Sequence, residues 1–358
     1  MLALPAVLST ACRRTETESR GYAFIANQEG GAIAVVDLDV MAVAKHVAID
    51  GAPSQVVAAQ SRSFVYALTP ANGTVHEVGT DTLKVARKLA TGSQVDSIHI
   101  SMDEKMLYVV ARESRWLYAL SLDDWKIAWK LQFPEEPVDF ALSPDGQTAA
   151  ISSSTAVRLV SLTARSIGQP LGQGKFGQVR FLSNSERVIA ADLGDRKISV
   201  YRVNNPRLVT HLPVAVPPEN LCFNSDGGQL FVTGSGVDSV VVLYPYDIPE
   251  VAETILVGHA PATMTASKTL LFITSPSSGD ITVLHVGTHK VLTVMPVGSD
   301  PGTVAITPDD RFALVLNRVS GNIAVLDTVE IQKNRNKAAA LVTVIPVGSR
   351  PVSAAMHS

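Results

Sequence analysis

The side chains that could do chemistry in this 358-residue chain stand at the ends of short apolar runs. Asn27, Gln28, Glu29, Arg112, Glu113, Arg115, Asp192, Asp195, Arg196, Asp238, His259, Asp300, Asn317, Arg318 and Arg350 mix guanidinium forks, carboxylates and amides. Such a set can hold a polar ligand through charge-assisted hydrogen bonds, or it can be consumed by ion pairs among solvated loops. His285 and His289 have a spacing that on a helix would put two ligands on one face, but Val286-Gly287-Thr288 between them reads as a turn. His99 and Cys222 could bind a metal or haem iron only if both faced one cavity, and the sequence offers them no third ligand. No metal site or cofactor is therefore assigned. Hydrolytic and nucleotide chemistry have no signature either: no Gly-x-Ser-x-Gly elbow precedes a helix, and no phosphate-cradling Gly-x-x-x-x-Gly-Lys-Ser/Thr occurs.

The elements that must position these residues form a repeat. The clearest copy is residues 294–328, VMPVGSDPGTVAITPDDRFALVLNRVSGNIAVLDT. Turn signals recur at Gly51-Ala52-Pro53, Glu135-Glu136-Pro137, Val216-Pro217-Pro218, Gly258-His259-Ala260-Pro261, Gly298-Ser299-Asp300-Pro301 and Gly348-Ser349-Arg350-Pro351. The period is about 42 residues, in the range of propeller blades, with degenerate copies near Val95 and Gln178. Each copy predicts four short strands. A first strand such as Thr303 to Ile306 reaches a tight turn carrying Asp, as in Ser143-Pro144-Asp145-Gly146 and Thr307-Pro308-Asp309-Asp310. The second strand is continuously apolar, as in Tyr22 to Asn27, Phe64 to Thr69, Met106 to Ala111 and Phe312 to Asn317, and so reads as buried on both faces. Third and fourth strands follow, for example Ile33 to Asp37 and Lys45 to Ile49. Four-stranded units repeated radially make an all-β propeller. The polar insert Ile331 to Lys337 is expected to be a solvated loop.

The Val-Gly-x-x-Pro turn, the Ser/Thr-Pro-Asp-Gly turn, and second strands such as Leu271-Phe272-Ile273-Thr274 and Phe312-Ala313-Leu314-Val315-Leu316-Asn317 resemble the YVTN β-propeller repeat. That group includes YncE-like bacterial periplasmic proteins and is related to the haem d1 domain of cytochrome cd1 nitrite reductase. The resemblance covers nearly everything after residue 20, and its residues make turns and packing surfaces. It implies a fold and names no ligand.

Read as b-c-d-a units, the chain starts on strand b at Tyr22 and ends on an isolated strand a at Val352 to His357, so the ring should close by pairing its two ends. The count is eight blades, with seven as the alternative. On this assignment the polar residues named above gather at one channel mouth, where Asn27, Glu29, Arg112, Arg115, Asp192, Asp195, Arg196, His259, Asp300, Asn317, Arg318 and Arg350 are the ligand-binding candidates. Trp129 should pack between blades, whereas Trp125, beside Asp123-Asp124 at a turn, should be exposed.

The apolar residues 1–11 running into Cys12 resemble a bacterial lipoprotein signal, with Cys12 as the lipid-attachment residue. The expected organisation is a signal and tether over residues 1–20 and one propeller over residues 21–358. A net charge of -3 gives no overall positive field for nucleic acid. The reading is a monomeric, non-catalytic binding or protein-interaction scaffold of the cell envelope or periplasm. Its partner would be an envelope protein or a small polar ligand, and a lipid anchor would be its one membrane contact. The alternative is an envelope enzyme or cofactor-handling protein, metal-dependent or related to haem d1, with its site at the channel mouth.

Overall fold

The structure, a computed structural model, describes residues 20–333 and 337–358. Cys12 and the rest of the lipoprotein-like segment lie outside the described residues.

Among the described residues the strands form eight antiparallel sheets arranged as the blades of one ring. Each blade runs from an inner strand a to an outer strand d. Blade 1 combines the two ends of the chain: strand a is Pro351–His357, b is Tyr22–Asn27, c is Ala32–Asp37 and d is Ala42–Ala48. Blade 2 begins at Gln55–Ala58, blade 3 at Ser97–Ile100, blade 4 at Pro137–Leu142 and blade 5 at Phe176–Phe181. Blades 6, 7 and 8 begin at Asn220–Phe223, Met264–Ala266 and Pro301–Ile306. The eight-bladed expectation holds, and so does closure by the last strand. Tyr22 pairs with His357, Ile25 with Ala354 and Asn27 with Pro351, with one register shift at Ala26/Asn27.

Burial follows position in the blade. Strands b and c are sandwiched between two neighbouring blades, so Phe24, Ile25, Ile33 and Val35 are all fully buried, and an unbroken apolar run is what such a strand requires. Strand d forms the rim of each sheet and alternates; Lys84–Ala90 and Lys126–Gln132 place every second residue in solvent. The a–b turn is a recurring local structure. Ser101, Ser143 and Thr307 each donate their hydroxyl to the Asp two residues on, at 2.6, 2.5 and 2.6 Å. The residue after that Asp is left-handed, at φ 51° for Glu104, 69° for Gly146 and 59° for Asp310.

Three local features depart from the sequence reading. The insert expected to be a solvated loop starts inside helix α1 (Thr328–Lys333), because Asp327 accepts the amide hydrogens of Val329 and Glu330 at 2.9 and 3.0 Å and caps the turn. Ile331 then packs, 3% exposed, into the core between blades 7 and 8 with Ala340 of helix α2 (Lys337–Ala340). Trp125 is half-buried, not exposed: it stacks on Tyr66 of blade 2, with ring centroids 6.2 Å apart, and Arg87 lies over it at 4.7 Å. Blade 4 has no continuous outer strand; Ser166–Ile167 and Gly172–Gln173 pair separately with Ala156–Ser161. Gly168, Pro170 and Gly172 break that strand, and Tyr201 lies so close that a Cβ at Gly172 would fall 2.1 Å from its hydroxyl. Trp129 packs between blades as expected.

Deleting residues 351–358 should expose strand b of blade 1 as an unpaired edge and abolish the cooperative thermal transition of the ring. A circular-dichroism melt of the truncated chain that matched the full chain would refute this closure.

Candidate functional site

Strand b of each blade ends on the face where the b–c turns and the d-to-a crossovers lie, and every rim candidate from the sequence falls on this face. Asn27 and Asn317 occupy matching places at the ends of strand b in blades 1 and 8. Both are buried within the wall: Asn27 Nδ2 donates to Val347 O at 2.6 Å and Asn317 Nδ2 to Val297 O at 2.8 Å. Each amide therefore pins the crossover that delivers the inner strand of its own blade. The Val-Gly-Ser-x-Pro turns are shaped by that contact. Gly298 and Gly348 are at φ 146° and 121°, and a Cβ there would sit 2.5 and 2.9 Å from the Asn317 and Asn27 amide nitrogens.

The remaining candidates divide into sectors. On blade 3, Arg112 donates to Pro137 O and Arg115 to Pro134 O, both at 2.9 Å, so the two guanidinium groups hold the blade 3–4 crossover. On blade 5, buried Asp192 caps its own turn through Gly194 N and Asp195 N, while Asp195 pairs with Lys197 at 2.6 Å. That hydrogen bond from Lys197 holds the Asp195 carboxyl below its ordinary pKa. Arg196 is exposed in the same turn at φ 50°. Exposed His259 meets Asp238 at 3.1 Å, and the Ala260 N–H, then His259, lowers the Asp238 pKa.

Glu29, Asp300, Arg318 and Arg350 are brought together. They line a 530 Å³ cleft on the mouth face between blades 8 and 1, with Val319, Ser320, Gly348 and Ser349. The crossovers at its edges are aligned copies with opposite charges, Asp300 matching Arg350, whereas in the b–c turns Arg318 matches Gln28 and Glu29 stands one residue further on. In blade 8 the crossover supplies Asp300, which takes Arg318 Nε and Nη2 at 2.9 and 2.5 Å. In blade 1 the crossover supplies Arg350, which meets Glu29 through a single contact of 3.4 Å. Both crossover residues are left-handed, Asp300 at φ 57° and Arg350 at φ 56°. Ser320 and Ser349 were not among the sequence candidates. The signal for Ser349 was the repetition of Val-Gly-Ser-x-Pro at residues 297–301 and 347–351 with opposite charges at x; Ser320, in the b–c turn of blade 8, had no such signal.

A second polar region, in the channel, was only partly foreseen. His99 and Cys222 both lie on inner strands, but they are held apart in function. His99 Nε2 shares a hydrogen bond with Ser97 at 3.0 Å and its ring packs against Phe140 at 5.0 Å; the Cys222 thiol donates to Phe223 O at 3.4 Å. Burial drives the His99 pKa down to about 4 and the Cys222 pKa up to about 11, so at neutral pH both are uncharged. Between them Arg180 donates to Asp139 at 2.7 Å and to Gln178 at 3.0 Å. Polar and charged residues alternating with apolar ones on inner strands, as in Val138-Asp139-Phe140 and Gln178-Val179-Arg180, were the available signal. His285 and His289 lie either side of the expected turn. His285 Nδ1 accepts Gly287 N and Thr288 N, and His289 turns away to Glu253 of blade 6. Among the described residues no three His, Cys, Asp or Glu side chains are placed to hold a metal ion.

Comparison with known proteins agrees on the fold. No family model matches the chain. Over 173 residues, 46% of this chain and 42% of the relative, it is 26% identical to the seven-bladed β-propeller protein Rv1057 of Mycobacterium tuberculosis. The match thus spans about two-fifths of that curated relative's length, and the blade number differs. Among solved structures, apo AztD from Citrobacter koseri superposes with a TM-score of 0.71 at 13% identity, covering 93% of this chain and 96% of AztD. The dihydro-heme d1 dehydrogenase NirN, solved in complex with DHE, gives a TM-score of 0.71 at 13% identity over 98% of this chain and 79% of NirN. At these identities the likeness is one of fold: a β-propeller, with a haem d1-related protein among its structural neighbours.

Two predictions follow from the wall and the channel. Asn317→Ala should lower unfolding free energy by about 1–3 kcal/mol in urea denaturation, because it leaves the Val297 carbonyl without its buried donor. His99 titrates at about 4 when folded against 6.5 when free, so between those values the unfolded chain binds a proton that the folded chain does not. Its contribution to stability is full above pH 6.5 and is lost as pH falls toward 4, and His76, also depressed by burial, acts in the same direction. His99→Gln should flatten the pH dependence of the urea midpoint across that window.

Proposed function

We propose that this β-propeller is an exported, non-catalytic binding scaffold of the bacterial cell envelope, tethered through Cys12, and that the cleft between blades 8 and 1 is where a small polar ligand or an exposed segment of an envelope protein docks. The cleft carries the reading. It is large enough for a small molecule, at 530 Å³, and its lining offers guanidinium, carboxylate and hydroxyl groups but no histidine, cysteine or lysine. Asp300 is committed to Arg318 through two hydrogen bonds, while Glu29 meets Arg350 through one contact of 3.4 Å. Fixed charges of both signs at a rigid rim recognise a ligand by complementarity, while a carboxylate locked in a bidentate pair is poorly placed to act as a nucleophile or base. The export reading rests on the resemblance of residues 1–12 to a lipoprotein signal.

Native mass spectrometry of the protein recovered from its own envelope fraction, with metal analysis and an absorbance spectrum, tests the binding role. The expected result is a bound small molecule or protein partner that is lost from an Arg318→Ala, Arg350→Ala variant. A stoichiometric metal or chromophore retained by that variant would overturn it. Palmitate labelling should be present in the native chain and absent from Cys12→Ser.

A further inference from the structure

We infer that the cleft between blades 8 and 1 is an oxyanion site: Arg350 exchanges Glu29 for a carboxylate or phosphate group of the ligand, and capture of that group locks the seam at which the ring closes. This rests on the cleft being the docking site and specifies what it takes.

The two aligned crossovers supply an internal comparison. Asp300 and Arg318 form a closed pair: both guanidinium nitrogens on one edge are used, and the side chains are 30% and 34% exposed. Blade 1 does not reproduce that pair: the position equivalent to Arg318 is the neutral Gln28, and the carboxylate stands one residue further on, at Glu29. Arg350 and Glu29 make one contact at 3.4 Å with side chains 50% and 62% exposed. A guanidinium carries five N–H donors in a planar fork that matches a carboxylate or phosphate edge. Arg350 is held with that fork at the cleft by a left-handed backbone and by Gln28 N, which donates to Arg350 O at 3.0 Å. An exposed single-contact ion pair contributes little, so an incoming oxyanion displaces Glu29 at small cost and gains the second hydrogen bond that Glu29 does not make. The Ser349 hydroxyl lines the same cleft, as does Arg318, whose positive charge adds to the local field.

Position gives the capture a structural consequence. Arg350 immediately precedes Pro351, the first residue of the closing strand, whereas Arg318 and Ser320 belong to the b–c turn of blade 8. The Gln28 N–H that holds Arg350 O crosses the seam between the two ends of the chain, so the site is complete only when the closing strand is paired with blade 1. A ligand that binds only the closed ring stabilises closure by mass action.

Isothermal titration with succinate and, separately, inorganic phosphate at constant ionic strength tests the inference, with hydrogen exchange of residues 351–357 as the second readout. Saturable binding of either probe with slowed exchange in that strand is expected; succinate alone would assign a carboxylate ligand and phosphate alone a phosphoryl one. Arg350→Asn, which tolerates the left-handed backbone, should weaken binding at least about 10-fold with the unliganded melt unchanged. Glu29→Gln should tighten it about 2- to 5-fold by removing the competitor. The double exchange Gln28→Arg, Arg350→Asp rebuilds the closed pair of blade 8 and should abolish binding in a folded ring. Absence of saturation by either probe up to millimolar concentration, or tighter binding by Arg350→Asn, overturns the oxyanion assignment. If a cationic or protein ligand is still lost from the Arg318→Ala, Arg350→Ala variant, the binding role stands and only the oxyanion assignment fails; if cleft substitutions change no binding at all, both fail.

Discussion

Everything in this molecule depends on a closed circuit of contacts between inner strands. No blade can bury its own faces, so each sheet is stable only between two others, and the first must meet the last. At every step around the channel a side chain reaches the next inner strand. Ser353 accepts Val56 N, Gln55 both donates to and accepts from the Ile98 backbone, and His99 packs on Phe140. Asp139 accepts Val179 N, Gln178 accepts Leu221 N, and the Cys222 thiol lies beside the Ala266 backbone. Thr265 donates to Val304 O and Thr303 to Val352 O, which completes the circuit at the closing strand. The polar lining of the channel is thus largely structural, and half-buried His99 and Cys222, uncharged at neutral pH, belong to the same wall.

The mouth face is organised by a second, local device. A short amide at the end of strand b reaches back to the crossover carbonyl, and the glycine of the Val-Gly-Ser-x-Pro turn makes room for it. The same position in other blades is filled by other solutions: Thr233 donates to Ala262 O, and Asp192 caps its own turn. Because the pin fixes the crossover backbone, the residue before Pro is held left-handed and its side chain is presented at the rim. Charge at that position can then differ between copies without disturbing the wall, which is how aligned turns come to carry Asp300 in one blade and Arg350 in the next.

Much of this was legible in the sequence, for identifiable reasons. Strand b of blades 1, 2, 3 and 8 could be bounded to the residue because burial on both faces demands an unbroken apolar run and a polar turn residue ends it. Blade 4 carries a weaker local signal because Ala149, Ala150, Ser152 and Ser153 give its strand b little hydrophobic contrast, and glycine and proline interrupt its outer strand. Trp125 and Ile331 were misplaced for a common reason. Each stands in a locally polar stretch, and each is covered by a residue distant in the chain, Tyr66 for the one and the blade 7–8 core for the other.

The sequence alone determined the architecture, since strand length, turn type and apolar period are local properties written once per repeat. It also pointed to closure, because the repeat beginning at Tyr22 shows strands b, c and d, and the separate strand a at residues 352–357 is the one it lacks. Which rim residues meet was decided only by the tertiary structure. Asn27, Arg112, Asp192 and Arg350 look equivalent as polar residues at the ends of strands, yet only the curvature of the ring sets Arg350 beside Glu29, 321 positions away, while committing Arg112 to Pro137 O. Local rules specify how each blade is built; the distances between blades follow from how all eight pack at once.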